Sequence, residues 1–324
     1  MSADPESPAH GGVPGPAFSL RQRRQAAWIT LGAVGCYLAL RALPTGTNLH
    51  PVDFSVTGKG ALELCDPANP QFIPVVAARS PVTLTLVAAG PVVTGHETRY
   101  TLTLATSSGR PIGPVDLLTA HTRKLHLLVV DPTLTDYQHL HPEPGARPGD
   151  WTFAFTPRLG GVYRVFADFT PVATARGLYA SADVTVDGDV AGQSASEHAG
   201  DVALHSGWQS EQEGYRFSLL PGAEPIHARQ AVTLVFTITR PDGGSVPMEP
   251  VMGAFAHLVA FDSGRSGFAH LHPNQADPSI APDAVKPRFD FKLTIPQPGR
   301  YVIWAQVNLA GRETFVPFWF EVAP

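Results

Sequence analysis

At 324 residues the chain has room for two domains and an appendage, and with 44% hydrophobic and 16% charged residues it is globular rather than disordered. A mild net charge of −5 with no basic stripe excludes nucleic acid as a partner. The 32 prolines and 30 glycines fall between short runs of Val, Leu, Thr and Phe, the punctuation of strands and turns rather than of long helices.

Residues 1–25 form a polar, Pro- and Gly-rich start, predicted to be disordered and cytoplasmic, that ends on the basic group Arg21, Arg23 and Arg24. Residues 26–43 follow as a transmembrane anchor or a signal sequence: the run AAWITLGAVGCYLAL is uncharged from Ala26 to Leu40 and closed by Arg41. An uncleaved, single-pass anchor is preferred because no Ala-x-Ala-like site follows the run. A third reading takes Ala33 to Cys36 as a lipoprotein cleavage box. In each case the basic flank places everything downstream on the extracytoplasmic side of a bacterial cell membrane. The only other cysteine is Cys65, so neither a disulfide framework nor a Cys-based metal site is available.

Residues 44–80 read as a linker, with one strand predicted at Ala61 to Cys65. A first β-sandwich domain is expected over 81–187, with strands at Val82 to Ala88, Thr98 to Thr106, Lys124 to Val130, Tyr137 to His141, Trp151 to Pro157, Val162 to Phe169 and Ser181 to Val186. A polar stretch, 188–201, has linker composition. A second domain over 202–324 repeats the order, with strands at Tyr215 to Leu220, Ala231 to Thr239, Ala254 to Phe261, Phe268 to His272, Arg288 to Ile295, Tyr301 to Val307 and Val316 to Val322. The fold class is all-β: two tandem immunoglobulin-like β-sandwich domains after one N-terminal transmembrane helix.

Within the repeat one histidine pattern recurs. His126, His139 and His141 stand in LHLLVVDPTLTDYQHLHP, and His257, His270 and His272 in AHLVAFDSGRSGFAHLHP, so both copies read His-x12-His-x-His-Pro at an offset of 131 residues. Imidazole is the commonest protein ligand for zinc and copper, which makes these six residues the candidate metal ligands. Each set falls on two strands joined by a turn. With Ser263 and Gly264 at the turn centre, His257 faces His270; with Pro132 and Thr133 there, His126 faces His139, and the third histidine shares their face. A one-residue slip breaks this convergence, whereas a two-residue shift pairs His126 with His141 and keeps it.

Three further residues are candidates. His121 aligns with Met252; both side chains ligate copper and Met is a poor zinc ligand, so copper is expected and zinc is the alternative. Asp168 aligns with Gln306, and a carboxylate there is expected to orient an imidazole of the first set. These differences predict two independent, unequal sites in domains joined by a flexible linker.

The segments LHLLVVDPTLTDYQHLHPE and MGAFAHLVAFDSGRSGFAHLHP resemble the repeated core of bacterial exported YtkA-like domains, immunoglobulin-like modules often associated with copper and other heavy-metal handling. The resemblance implies that both His triads occupy the motif positions. Leu117 and His121 depart from Met248 and Met252 of the second copy.

The function expected is that of a membrane-anchored metal-binding protein, for copper storage, delivery or resistance, with the metal ion and the membrane as partners and any protein partner unknown. The alternative is a structural or interaction protein presenting two Ig-like domains with incidental histidines. No enzyme is expected: Glu143 follows His141 too soon for a cupin set, and nucleophile-elbow and nucleotide-binding loops are missing from the sequence.

Overall fold

The computed structural model describes residues 19–42, 46–55, 71–188, 207–275 and 277–324. The strand predicted at Ala61 to Cys65 and most of the polar linker lie outside them. Two compact units result, 1–46 and 47–324, and the second contains both sandwiches.

The first unit holds α1 (Leu20–Ala42), which begins six residues before the apolar run, so part of the start expected to be disordered is helical. Among the described residues no helix is long and apolar enough to cross a membrane. The first turns of α1 are spent on Arg21, Gln22, Arg23, Arg24 and Gln25. Trp28, Ile29, Leu31, Val34, Tyr37, Leu38 and Leu40 are all exposed along it.

The first sandwich is built from β1 (Val82–Ala88), β2 (Thr98–Thr106), β3 (Leu125–Val130), β4 (Tyr137–Leu140), β5 (Glu143–Pro144), β6 (Asp150–Phe155), β7 (Gly161–Phe169) and β8 (Leu178–Val186). One sheet runs β1-β2-β6-β5 and the other β4-β3-β7-β8. In β2 every second side chain is buried, so Tyr100, Leu102 and Leu104 meet the core while the threonines between them look outward.

The second sandwich comprises β9 (Gln209–Gln212), β10 (Tyr215–Pro221), β11 (Ile226–His227), β12 (Ala231–Thr239), β13 (Met248–Glu249), β14 (Ala256–Asp262), β15 (Phe268–Leu271), β16 (Arg288–Thr294), β17 (Gly299–Leu309) and β18 (Arg312–Ala323). Its sheets run β16-β12-β10-β9 and β11-β18-β17-β14-β15, with β13 also on β17.

Both sandwiches are covered on a second face. In β3 all six residues are buried, because Leu125, Leu127 and Val129 enter the first domain's core while Leu128 and Val130 enter a third core between the domains. β14 divides in the same way, Leu258 and Ala260 inward against Val259 and Phe261 across. From β7 and β17 come Phe166, Val302 and Trp304, and the Trp304 indole N–H donates to the Leu134 carbonyl of the other sandwich at 3.2 Å. Arg164 donates to the Arg265 carbonyl at 2.9 Å, and Arg265 to that of Val162 at 2.6 Å. The β4-β3-β7-β8 sheet thus packs face to face on the sheet that carries β14, β15 and β17.

The end of the expected 44–80 linker takes part. Ile73 exchanges backbone hydrogen bonds with Phe268 at 2.7 and 3.1 Å, Val76 donates to Ser266 at 2.9 Å, and Ile73 and Val75 belong to the interdomain core. Residues 71–78 therefore form a strap from the first domain onto the edge of the second. Gly267 permits it, since a Cβ there would stand 1.7 Å from the Ile73 carbonyl oxygen.

Candidate metal centre

The two hairpins that carry the histidines are looser than a two-residue turn. Residues 131–136 separate β3 from β4, and the Asp131 carboxylate accepts from the backbone N–H groups of Thr133, Thr135 and Asp136, each at 2.8 Å. Leu134 takes a left-handed φ of 64°. In the second domain the Asp262 carboxylate accepts from Ser266 N–H at 2.7 Å, and Arg265 sits at φ 49°. These Asx-type loops shift the register by two residues from the expected one. His139 stands opposite Leu128 and His270 opposite Val259, rather than opposite His126 and His257. Parity is kept, so the three imidazoles of each hairpin still share one face.

That face is the interface between the sandwiches. In each triad one nitrogen per ring lies within 4.8 Å of the others, for His126, His139 and His141 and for His257, His270 and His272. The triads also touch: the His270 ring centroid is 5.2 Å from that of His139 and 5.7 Å from that of His126. His121, exposed at the rim, stacks on His272 at 3.5 Å. The sites expected to be separate are one cluster of seven imidazoles, and Met252, at the loop position equivalent to His121, shares its left-handed φ of 50°. The histidines at the outer strand starts stay apart, with His96 bonded to the Thr94 carbonyl and His227 to that of Pro324.

Backbone and side-chain partners fix the tautomers. The Nε2–H of His126 donates to the Ala120 carbonyl at 3.1 Å, and that of His257 to the equivalent Val251 carbonyl at 2.8 Å. Each leaves Nδ1 as a bare lone pair. For the second histidine of each set the polarity reverses, and the partner comes from the other sandwich. His139 Nδ1–H donates to Gln306 Oε1 at 2.9 Å, and His270 Nδ1–H to Asp168 Oδ2 at 3.1 Å, leaving Nε2 bare in both. Gln306 is held in that orientation because its amide N–H donates to Glu313 at 2.9 Å. Asp168 lies opposite His126 in the strand register; its hydrogen bond goes to His270 of the second triad, while its charge acts on His126 of the first. This exchange of supports could not be read from a linear alignment, because it requires the two domains to face each other.

The bare nitrogens of His126 and His139 face each other at 3.2 Å. A hydrogen bond between them would need an extra proton, and burial opposes that charge. A tetrahedral ion with bonds of about 2.0–2.1 Å needs donor nitrogens roughly 3.3 Å apart, so the pair has the bite of such a site. His141 Nε2, His257 Nδ1, His270 Nε2 and His272 Nδ1 are buried and have no hydrogen-bond partner within the protein. Each set of three donors could hold a metal ion.

Electrostatics agrees with the geometry. Burial holds the His141 imidazole down to about 3 and that of His257 to about 4, and holds His139, His270 and His272 well below the ordinary histidine range, with the neighbouring imidazoles adding to it for His139, His141, His270 and His272. His126 is lowered for the same first reason. The cluster is neutral at pH 7, the form that ligates. Glu143 is exposed and pairs with Arg123.

A pair of face-to-face immunoglobulin-like sandwiches with a histidine-lined seam defines the class of protein. The profile of one family, Domain of unknown function (DUF8832), matches residues 77–188 and 210–324, and the chain belongs to that family. No curated protein matches its sequence. Among solved structures it is similar to the Escherichia coli adhesin FdeC, at 15% identity and TM-score 0.23 over 74% of this chain and 64% of that one. A Corynebacterium diphtheriae protein described as membrane anchored gives 10% identity and TM-score 0.21 over 74% and 59%. The fibronectin(III)-like modules of Clostridium thermocellum CbhA give 11% and 0.19 over 74% and 94%. The chain spans less than two thirds of the first two.

Proposed function

We propose that this chain is an extracytoplasmic metal-binding protein that holds copper, or in second place zinc, in the seam between its two repeats. The observation that carries the reading is the set of six neutral imidazoles whose bare nitrogens converge there, two of them 3.2 Å apart with no proton to share. Imidazole donors suit both metals; the thioether of Met252, on the loop equivalent to that of His121, puts copper first. The resemblance to exported YtkA-like domains adds a heavy-metal setting. Storage, delivery or resistance are the roles that an ion held by three nitrogens, with room for exchange, would serve.

We propose further that α1 anchors the chain to the bacterial membrane. Its exposed apolar residues need cover that water does not provide, and Arg21, Arg23 and Arg24 favour the cytoplasmic side for its start. Reporter fusions after Gly188 should be active only outside the cytoplasm; activity inside alone would overturn this placement.

Metal analysis of the full chain purified in detergent tests the main reading. Copper or zinc should be retained through gel filtration, and the His126→Ala/His139→Ala variant should lose at least one equivalent. Retention of the full complement by that variant, with its fold intact by circular dichroism, would reduce the first triad to packing.

A further inference from the structure

At His270 the second triad comes as close to the first as the members of one triad come to each other. Ring centroids within the first triad lie 5.4, 5.1 and 4.9 Å apart, and within the second 5.9, 4.7 and 4.8 Å. Between triads, His139 and His270 are 5.2 Å apart and His126 and His270 5.7 Å. His121 of the first repeat lies over His272 of the second, with its centroid 6.3 Å from those of both His126 and His257. The supports are exchanged as well, since Asp168 of the first repeat orients His270 and Gln306 of the second orients His139.

Each triad offers three nitrogens, one fewer than a tetrahedral ion takes, so each ion would keep one coordination position open. We infer that the six imidazoles form one dinuclear centre, in which two ions, each held by the three nitrogens of one repeat, lie close enough to interact magnetically and to share a small bridging ligand such as water or hydroxide across their open positions. This rests on the metal-binding reading above and adds the coupling between the two ions. Two cations in a buried seam repel one another, and an anionic bridge together with the Asp168 carboxylate on His270 offsets that repulsion. The exchanged supports give a structural route for coupling: seating an ion on His139 presses its ring toward Gln306 of the other repeat, and seating one on His270 presses toward Asp168.

The experiment loads the full chain in detergent with Cu(II) chloride, counts bound copper, and compares it with the integrated electron paramagnetic resonance intensity, the oxidation state being verified by the X-ray absorption edge. Two Cu(II) per chain should be bound, giving under half the two-spin intensity or a half-field transition, the mark of a coupled pair. His141→Ala and His272→Ala each remove a half-buried ligand at a strand end, where the fold tolerates change. Each should bind one copper and give a full one-spin signal. Two bound coppers with full two-spin intensity and no half-field line would overturn the dinuclear centre while leaving metal binding intact. A folded chain that binds neither copper nor zinc would overturn the metal-binding reading itself, and this one with it.

Discussion

Asp168 and Gln306 occupy one position of the repeat and differ by a charge, and each reaches across the seam to the other domain's histidine. A carboxylate partner makes an imidazole a stronger donor than an amide partner does, so the second triad should hold its metal more tightly than the first. Asp168→Asn keeps the shape and removes the charge. It should weaken binding at the second triad by about 10-fold or more and at the first by less, because there the carboxylate acts on His126 by charge without a hydrogen bond. Gln306→Ala should do the reverse and also free Glu313. Competition titration against a chromophoric chelator resolves the two steps, and equal loss at both triads would show that the exchange of supports has no energetic content. A linear reading could align the two residues but not assign them, because the assignment depends on which domain each one faces.

At the scale of elements, the strands of both sandwiches were legible from alternation and turn residues, and the hairpins were legible in kind. Their register was not. Proline, glycine and serine in the connections pointed to tight two-residue turns, whereas Asp131 and Asp262 fold the connections into wider loops by collecting backbone N–H groups. The period of two rescued the inference, since a two-residue shift leaves the same face buried. The sequence also carries a signal for the interface. LHLLVV and AFAHLVAF do not alternate, and an unbroken apolar strand is one covered on both faces. Phe261 lies against Phe166 and Tyr137 of the other sandwich, with centroids 6.1 and 5.4 Å away. Phe261→Ala should cost roughly 3–5 kcal/mol in urea denaturation and lower metal affinity in parallel, because the seam that aligns the triads is the part that loosens. A stability loss with unchanged metal affinity would show that the triads are positioned by their own hairpins alone.

On the scale of the whole second unit, the seam stacks buried, neutral imidazoles beside an apolar core, and this makes its stability depend on pH in a defined direction. In the unfolded chain each histidine titrates near its ordinary value of about 6.5. In the folded chain burial keeps His257 down to about 4 and His141 to about 3, and His126, His139, His270 and His272 are lowered too. Above the ordinary value both states are neutral and the folded state keeps its full stability. As pH falls below it, the unfolded chain takes up protons that the folded chain refuses, so stability is lost until the folded values are reached. At pH 5, His257 alone should account for about 2 kcal/mol, since it then lies some 1.5 pH units below the ordinary value. Asp168 acts in the opposite sense, because burial raises its pKa and the folded state binds that proton first, but it is one carboxyl against six imidazoles. A bound metal occupies the same lone pairs and excludes protons from them, so loading should shift the loss to lower pH as well as raise stability throughout. Thermal melts of the chelator-treated chain should therefore fall steeply between pH 7 and pH 5, and melts of the copper-loaded chain should fall less over the same range. A metal-free midpoint that is flat across that interval would mean that the histidines are hydrated in solution and that the two sandwiches do not close on each other without an ion between them.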